Sequence, residues 1–328
     1  MADPGGPGAL ALAIVAGERR ALARAITLVE SELEADAEAS EALLDAILPH
    51  TGRALRLGVT GPPGAGKSTL VDALGRHLLE RGERVAVLAI DPSSRVSGGS
   101  VLGDKTRMAR LAADGRSFIR PTPSRGATGG VARHTREAML LCEAAGYTVV
   151  IVETVGVGQG ELAASNLSDC LLLVLQPGAG DELQGMKRGI LELADVIAVN
   201  KADGAERERA ESAASELGRA LSLFARHGAA AQPDLRVTSA LSEHGVPELW
   251  STIAARVASE RASGALDRRR RDSLRAWLHE ELEARLRERL QRANRSSELR
   301  ELEAAVESAR LTPRRAAREW LELTHARA

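Results

Sequence analysis

Apolar residues follow two different patterns along the chain. Towards both ends, in residues 8–48 and 265–328, they recur every three to four positions, which is typical of amphipathic helices. Between these regions, short runs that are apolar throughout alternate with helical stretches. Strands of this kind are buried on both faces, so the pattern predicts an α/β fold with a mostly parallel sheet and helices on both faces. The runs are ALRLGVT (54–60), RVAVLAI (84–90), SFIR (117–120), TVVIVE (148–153), CLLLVL (170–175), DVIAVN (195–200) and LRVTSA (235–240).

The changes of pattern divide the chain into three expected parts. Residues 1–50 are predicted to form an N-terminal helical extension, residues 51–262 an α/β domain, and residues 263–328 a C-terminal helical arm. In the arm, leucines repeat every four residues among Arg and Glu, and one helix cannot bury such a stripe by itself. We therefore expect the stripe to contact the α/β domain or another chain. The stripe consists of Leu274, Leu278, Leu282, Leu286 and Leu290.

The charges of the chain are almost balanced. Its 328 residues include 44 Lys and Arg and 45 Asp and Glu, which gives a net charge of −1. Nucleic-acid binding proteins usually carry a basic excess, so we expect no nucleic-acid partner. The run RRRR at 268–271 is interpreted as a solvated helix face, with nucleic acid or lipid headgroups as the alternatives. Aromatic residues make up only 2% of the chain, so the core must consist of Leu, Val, Ile and Ala.

The two cysteines and the lack of long apolar runs indicate the compartment. Cys142 and Cys170 lie in apolar surroundings, which predicts small buried side chains in a reducing environment. No apolar run approaches the roughly 20 residues that a membrane-spanning helix needs. The first residues lack the basic region of a signal peptide. We expect a cytoplasmic protein without a membrane partner.

A phosphate-binding loop follows the first apolar run. GPPGAGKS matches G-x-x-x-x-G-K-[ST], with a strand predicted before it and a helix after it. Glycines let the backbone N–H groups surround a phosphate, and the N-terminus of the helix adds a positive dipole. Lys67 is expected to reach the β- and γ-phosphates and Ser68 to bind Mg²⁺. The nucleotide-binding residues predicted here are Gly61, Pro62, Pro63, Gly64, Ala65, Gly66, Lys67, Ser68 and Thr69.

Two further segments predict that the base is guanine. The sixth run continues into Asn200-Lys201-Ala202-Asp203, an N-K-x-D sequence whose aspartate accepts hydrogen bonds from N1–H and the exocyclic amine of guanine. Adenine lacks this pair of donors and would leave the carboxylate desolvated and unsatisfied. The seventh run ends in Thr238-Ser239-Ala240, which resembles the backbone contact to guanine O6 in GTP-binding proteins.

An acid ends the fourth apolar run. A carboxylate at the position of Glu153 is costly unless a cation meets it, and Mg²⁺ bound to two phosphates is such a cation. Capping of a helix is the alternative role. Gly156 is placed for its N–H to approach the terminal phosphate, and the glycines after it would let the segment move when that phosphate leaves. Asp91 and Asp104 are candidates for orienting the attacking water or a metal-bound water, and an ordinary turn position is the alternative for each.

A fourth glycine-rich segment follows the fifth run. It reads QPGAGDELQGMKRGILE over residues 176–192. Asp181 and Lys187 are candidates there for sensing the nucleotide, although the residues alone predict only a loop.

Taken together, these segments resemble the MeaB/ArgK-type GTPases, accessory proteins of methylmalonyl-CoA mutase within the metallochaperone-type branch of P-loop GTPases. The resemblance covers about residues 10–260, and the C-terminal helices agree in type. The segments AIDPSSRVSGGSVLGDKTRM and VETVGVGQGE are specific to this group, whereas the phosphate loop alone is not. The matching segments are GPPGAGKST, AIDPSSRVSGGSVLGDKTRM, RPTPSRGATGGVAR, VETVGVGQGE, QPGAGDELQGMKRGILE and VNKADG.

The resemblance implies a P-loop NTPase fold and a slow GTPase that uses GTP/GDP and Mg²⁺ and acts as a G-protein chaperone. Such a protein binds an adenosylcobalamin-dependent acyl-CoA mutase, gates the loading of its cofactor from a cobalamin adenosyltransferase, and protects or reactivates the mutase. It also implies a homodimer joined through the C-terminal helices. A label carried by older family members, arginine/ornithine transport kinase, finds no support, because nothing in this sequence resembles a transporter.

The resemblance also implies roles for individual residues. The magnesium ligands are expected to be Ser68, Asp91, Asp104 and Glu153. A third switch corresponds to residues 176–188. The catalytic residues are expected to be Lys67, Asp91, Asp104, Glu153 and Lys187, and the switch residues Gly156, Gln159, Asp181 and Lys187.

Two other functions are weighed against this one. A metallochaperone GTPase of the hydrogenase or urease type needs soft or imidazole ligands for nickel or zinc, but the seven histidines are scattered and the two cysteines lie in apolar runs. A metabolic kinase would use the phosphate loop to phosphorylate a small molecule. Most such kinases take ATP, whereas N-K-A-D and T-S-A favour guanine.

Overall fold

The computed structural model describes eight stretches of the chain: residues 6–31, 33–91, 108–123, 130–154, 160–178, 189–225, 232–293 and 297–325. The chain divides into two compact units, Met1–Arg270 and Arg271–Ala328. The first unit therefore contains the N-terminal helices together with the sheet. The three parts expected from the sequence, with their boundaries near residues 50 and 262, remain predictions.

Seven strands form at the seven apolar runs. They are β1 (Leu55–Thr60), β2 (Val85–Asp91), β3 (Ser117–Pro123), β4 (Val149–Thr154), β5 (Cys170–Leu175), β6 (Val196–Val199) and β7 (Asp234–Val237). Neighbouring strands are all parallel, in the order β3-β2-β4-β1-β5-β6-β7. This confirms the predicted α/β fold. Strands β2, β3 and β4 lie on one side of β1, and β5, β6 and β7 lie on the other. The strand order therefore reverses beside β1, and sheets of this kind bind ligands at the carboxyl ends of the strands where it reverses.

Helices make up the other regular elements of the described residues. The N-terminal helices are α1 (Pro7–Val15), α2 (Arg19–Val29) and α3 (Glu34–Ile47), followed by a 3₁₀ turn at Leu48–His50. Those between the strands are α4 (Lys67–Glu80), α5 (Ala109–Ala112), α6 (Gly130–Ala144), α7 (Gly160–Leu167), α8 (Gly189–Leu193) and α9 (Glu206–Ala225). The last four are α10 (Val246–Ala262), α11 (Ala265–Ala293), α12 (Ser297–Glu307) and α13 (Pro313–His325).

The main hydrophobic core lies between one face of the sheet and the helices α4 and α10. It consists mostly of Leu, Val, Ile and Ala, as the composition predicts, together with Met108, Cys170 and the aromatic Trp250. Cys142 and Cys170 are both buried, and burial raises the pKa of both thiols. A thiol with a raised pKa is a poor nucleophile, so both cysteines act as small apolar side chains.

The N-terminal helices pack against α6, and polar contacts join them to the sheet. Glu30, after α2, forms an ion pair with Arg120 of β3. The guanidinium of Arg84 lies 4.8 Å from the centre of the Tyr147 ring. Gly146, in the turn beside Arg84, has a φ of 82°, a conformation that glycine adopts without strain.

The interpretation of RRRR as a solvated face is wrong for Arg270, whose side chain is 17% exposed, whereas the side chain of Arg269 is 40% exposed. Arg270 donates to both carboxylate oxygens of Asp169, at 2.6 and 2.8 Å, and the Asp169 side chain is 1% exposed. Arg269 pairs with Glu260 at 2.6 Å. A buried aspartate at the start of β5 needs a cation, and the first turns of α11 supply it. These arginines therefore fix the start of α11 to the amino edge of the sheet.

The second unit contains the rest of α11, with α12 and α13. The five leucines of the stripe are all exposed, from 37% at Leu290 to 59% at Leu278 and Leu286. Among the helices that the structure describes, none combines the length and the apolar content needed to cross a membrane.

Candidate nucleotide-binding site

The phosphate loop connects β1 to α4 and presses against neighbouring backbone. A Cβ on Gly61 would lie 2.1 Å from the carbonyl oxygen of Val174, and one on Gly66 would lie 2.6 Å from Nδ2 of Asn200. Gly61, Gly64 and Gly66 all have positive φ angles, of 144°, 83° and 87°. Only glycine adopts these conformations without strain, and only glycine fits at the two close approaches. The glycines of the motif therefore determine the conformation and the packing of the loop.

Lys67 begins α4 and folds back over this loop. Its Nζ donates to the carbonyl oxygens of Gly61 and Pro62, at 2.7 and 3.0 Å, and the residue is 8% exposed. The ammonium group therefore lies at the mouth of the loop, beside the positive end of the α4 dipole. This arrangement concentrates positive charge where an anion would bind.

Ser68 and Glu153 meet at the carboxyl edge of the sheet. Ser68 Oγ donates to Glu153 Oε1 at 2.7 Å, and Glu153 is 7% exposed. Strand pairing places Glu153 opposite Val59 of β1 and Ala89 of β2. The structure thus brings together two of the four predicted magnesium ligands. A hydroxyl and a carboxylate are hard oxygen donors, which suit Mg²⁺ when phosphates complete its coordination.

Of the other two acids predicted to bind magnesium, Asp91 lies within the described residues and Asp104 lies outside them. Asp91 ends β2, one residue beyond the pairing of Ile90 with Thr154 of β4, so its backbone lies at the same edge as Glu153. Within the described stretches no group of three or more His, Cys, Asp and Glu side chains is arranged to hold a metal ion. Asp104, Gly156, Gln159, Asp181 and Lys187 lie outside the described residues, and their roles remain predictions.

Asn200 joins the phosphate side of the site to the base side. It is 1% exposed, and its Nδ2 donates to the carbonyl oxygen of Ala65 at 3.0 Å. Its Oδ1 accepts from the backbone N–H of Ala240 at 3.1 Å and from Thr238 Oγ1 at 3.4 Å. One buried amide therefore connects the phosphate loop with both segments of the predicted base site.

The two base segments also contact each other directly. Ser239 Oγ donates to the carboxylate of Asp203, and Ser239 Oγ accepts from the backbone N–H of Ser242 at 3.0 Å. The N–H of Ala202 donates to the carbonyl oxygen of Thr238 at 3.1 Å. These bonds hold the half-buried Asp203 carboxylate at the edge of the sheet, as a guanine-binding role requires.

Lys201 has a contact that sequence reasoning missed. Its φ is 65°, which is uncommon outside glycine, and its Nζ donates to Gln176 Oε1 at 2.8 Å. Gln176 directly follows β5, at the same edge of the sheet as the other site residues. A polar residue immediately after a buried strand is the signal that could have pointed to it.

Together these elements define a P-loop nucleoside-triphosphate-binding protein with a base site of the guanine-reading type. Comparison with known proteins agrees: the family model described as methylmalonyl-CoA mutase-associated GTPase MeaB matches residues 22–295. The chain therefore belongs to the MeaB family of GTPases, which confirms the resemblance found in the sequence.

Relatives with known names include GTPase ArgK of Escherichia coli, which is 48% identical over 267 residues, or 81% of each chain. The mitochondrial methylmalonic aciduria type A homolog of Mus musculus is 44% identical over 275 residues, covering 81% of this chain and 66% of the mouse protein. A solved structure described as LAO/AO transport system kinase is 36% identical, covers 99% of both chains and superposes with a TM-score of 0.74.

Replacement of Asn200 by alanine tests the connection at the centre of the site. The change leaves the buried N–H of Ala240 and the carbonyl of Ala65 without these partners, at about 1–3 kcal/mol for each unsatisfied group. We expect the free energy of unfolding of the nucleotide-free protein to fall by about 2 kcal/mol or more in urea denaturation. Asn166→Ala, at an exposed position of α7, is the matched control. A loss within about 0.5 kcal/mol, the range of ordinary surface changes, would contradict the assigned role.

Proposed function

We propose that this protein hydrolyses GTP to GDP and phosphate at the carboxyl edge of its sheet. The observation that carries the proposal is the buried amide of Asn200, which binds Ala65 of the phosphate loop and Ala240 of the base site. The site thereby presents phosphate-binding groups and the Asp203 carboxylate within one connected structure. A nucleotide with a triphosphate and a guanine base complements both ends.

Individual residues would act on the nucleotide through charge and position. Ser68 and Glu153 would hold Mg²⁺, which supplies positive charge to the phosphate oxygens. Lys67 and the N–H groups of the phosphate loop would bind the β- and γ-phosphates and stabilise the charge that develops as water attacks in line. Asp91 and Asp104 are the proposed residues for orienting that water. The carboxylate of Asp203 would accept both hydrogen bonds from the edge of guanine.

We further propose that the protein is a G-protein chaperone of an adenosylcobalamin-dependent acyl-CoA mutase of the methylmalonyl-CoA mutase type. The description of its family as mutase-associated supports this partner. In this role it would gate cofactor loading and protect or reactivate the mutase, with a cobalamin adenosyltransferase as a further partner. The GTPase cycle would drive the gating through Gly156, Gln159, Asp181 and Lys187.

A homodimer is the proposed assembly. Five leucines that repeat every four residues along α11 are exposed, and a solvent-exposed stripe of this size usually marks an interaction surface. A second copy of the same helix offers a matching apolar surface among alternating Arg and Glu.

The nucleotide preference of the wild type and of Asp203→Asn tests the proposed activity. We expect the wild type to hydrolyse GTP much faster than ATP, and the rate to fall to background when Mg²⁺ is chelated. In Asp203→Asn the kcat/KM for GTP should fall by about 10²–10⁴, because the amide cannot accept both guanine hydrogen bonds. Xanthosine triphosphate, which offers an acceptor in place of the amine, should become the better substrate.

The control for this experiment is Glu206→Gln, which removes an exposed acid three residues further along the chain. Phosphate release measured with all three triphosphates gives the comparison. Equal use of GTP and ATP by the wild type, or an unchanged preference in Asp203→Asn, would remove Asp203 from guanine recognition.

Retention of partners from a native lysate tests the chaperone role. We expect immobilised protein to retain an adenosylcobalamin-dependent acyl-CoA mutase, in amounts that differ between GDP and a non-hydrolysable GTP analogue. The Lys67→Ala variant should lose this difference, because it lacks the ammonium group that senses the phosphates. Mass spectrometry identifies the retained proteins. Absence of any such mutase under both nucleotides would overturn this part of the proposal.

The proposed dimer is tested by the mass of the full chain in solution. Sedimentation equilibrium should give twice the mass of one chain. Leu282→Glu combined with Leu286→Glu places charges on the stripe and should weaken the dimer by at least about tenfold. Leu33→Glu, which changes a leucine that is 68% exposed in the N-terminal region, is the control. A wild type that sediments as a monomer rules the dimer out.

A further inference from the structure

Arg76 lies on α4, the helix that follows the phosphate loop. Its side chain reaches the turn after β7, which contains Glu243. Its Nη2 is 2.6 Å from Oε1 of Glu243, and its Nε donates to Oδ2 of Asp72 at 3.3 Å. The Arg76 side chain is 21% exposed and the Glu243 side chain 42%, so the guanidinium is partly shielded while the carboxylate remains open to solvent. Two carboxylates thus fix one guanidinium between two parts of the nucleotide site.

Asp72 orients the guanidinium from inside the protein. The residue is 7% exposed, and its Oδ1 accepts from the backbone N–H of Leu111 at 3.0 Å. A Cβ on Gly75 would come within 2.6 Å of the Leu111 side chain, so α4 and α5 are in close contact at this point. Since Asp72 cannot move without breaking these contacts, Arg76 is held in one direction, towards Glu243.

Glu243 belongs to a tight turn that carries Ser239. The N–H of Ser239 donates to the carbonyl oxygen of His244 at 2.9 Å, and the N–H of Ser242 donates to Ser239 Oγ at 3.0 Å. Glu243 has a φ of 62°, which is uncommon for a residue other than glycine. Such a conformation persists only when the surroundings hold it, and the contact with Arg76 is one such restraint.

This turn also holds the carboxylate of Asp203, the residue proposed to bind guanine. Ser239 Oγ donates to Asp203, and Ala240 binds Asn200 through its N–H. A shift of the turn would therefore move both Ser239 and Ala240 away from the positions in which they define the base site.

We propose that Arg76 and Glu243 are positioning residues for guanine recognition, because their ion pair fastens the Ser239–Gly245 turn to the phosphate-loop helix. Neither residue touches the nucleotide in this assignment. Their effect is indirect, through Ser239 and Asp203. The inference rests on the proposed guanine site, and it adds a second connection between the phosphate and base sides besides Asn200.

The pKa of Arg76 agrees with this geometry. Burial alone would lower the pKa of its guanidinium, but the hydrogen bond and the charge of Glu243, together with Asp72, raise it above its ordinary value. The guanidinium therefore carries the positive charge that its contacts with Glu243 and Asp72 require.

The affinity for guanine nucleotides tests the proposal directly. We expect Glu243→Gln to raise the Kd for GDP about three- to tenfold, and the Kd for a non-hydrolysable GTP analogue by the same factor, because both share the base. The KM for GTP should rise more than kcat falls. Arg76→Gln should have a similar effect, and the double variant should bind no more weakly than the worse single variant. Arg76→Lys, which keeps the charge, should recover part of the affinity.

The control pair is Arg207 and Glu211 on α9, which are 55% and 53% exposed and form a comparable ion pair at 2.9 Å. Arg207→Gln should leave the Kd for GDP unchanged. Thermal unfolding without nucleotide measures how far each variant is destabilised. If the two residues act by positioning, the rise in the Kd for GDP must be larger than this destabilisation alone would cause.

The outcomes distinguish this inference from the proposed function. If the wild type binds GDP and both single variants bind it equally well, the positioning role is wrong and the GTPase site stands. If the wild type itself fails to bind GDP, the guanine site is wrong and the inference falls with it. Additive losses in the double variant would show that the two residues act separately, which also overturns the proposal.

Discussion

The buried side chain of Asn200 is the contact on which the nucleotide site depends. A carboxamide offers a donor and an acceptor on one short planar group, so it can bind Ala65 and Ala240 at the same time. Aspartate at this position would lack the donor, and serine would not reach both groups. Because the amide is 1% exposed, either bond would be costly to lose. The distance between the phosphate side and the base side is therefore set by the protein rather than by the nucleotide.

This constraint explains why glycine is required in the loop facing Asn200. A Cβ on Gly66 would occupy the space of Nδ2, at 2.6 Å, so the amide and the glycine are complementary. At Gly61 the loop approaches the carbonyl of Val174 just as closely, which ties it to β5. The motif is usually explained by the phosphates that its N–H groups bind. In this protein the same glycines are also needed for packing within the protein itself, before any ligand is considered.

Signals that are local in the sequence predicted most of the fold and much of the site. A strand formed at each apolar run, and every residue of β4, β5 and β6 is buried, so for these strands the apolar run alone was a sufficient signal. Ser68 and Glu153 were each predicted as magnesium ligands, and they lie together because the carboxyl ends of parallel strands share one edge of the sheet. The pairing of Arg76 with Glu243 could not be predicted, because it joins segments that are far apart in sequence and depends on how α4 packs. The segment that begins at Gln176 was recognised, but the contact of Gln176 with Lys201 was not predicted, because a glutamine after a strand has many possible partners.

The error at RRRR has a physical cause that also separates structural from functional acids. A charged run on a helix is usually solvated, but Asp169 precedes β5 and is buried at the amino edge of the sheet, where Arg270 neutralises it. Asp195 precedes β6 and similarly accepts from Leu171 N at 2.9 Å while pairing with Arg256 at 3.1 Å. Acids that precede a strand therefore meet arginines of this chain and stabilise the fold. Glu153 is instead the next-to-last residue of β4, at the edge where the phosphate loop lies. The end of the strand at which an acid falls therefore indicates whether its role is in stability or in binding.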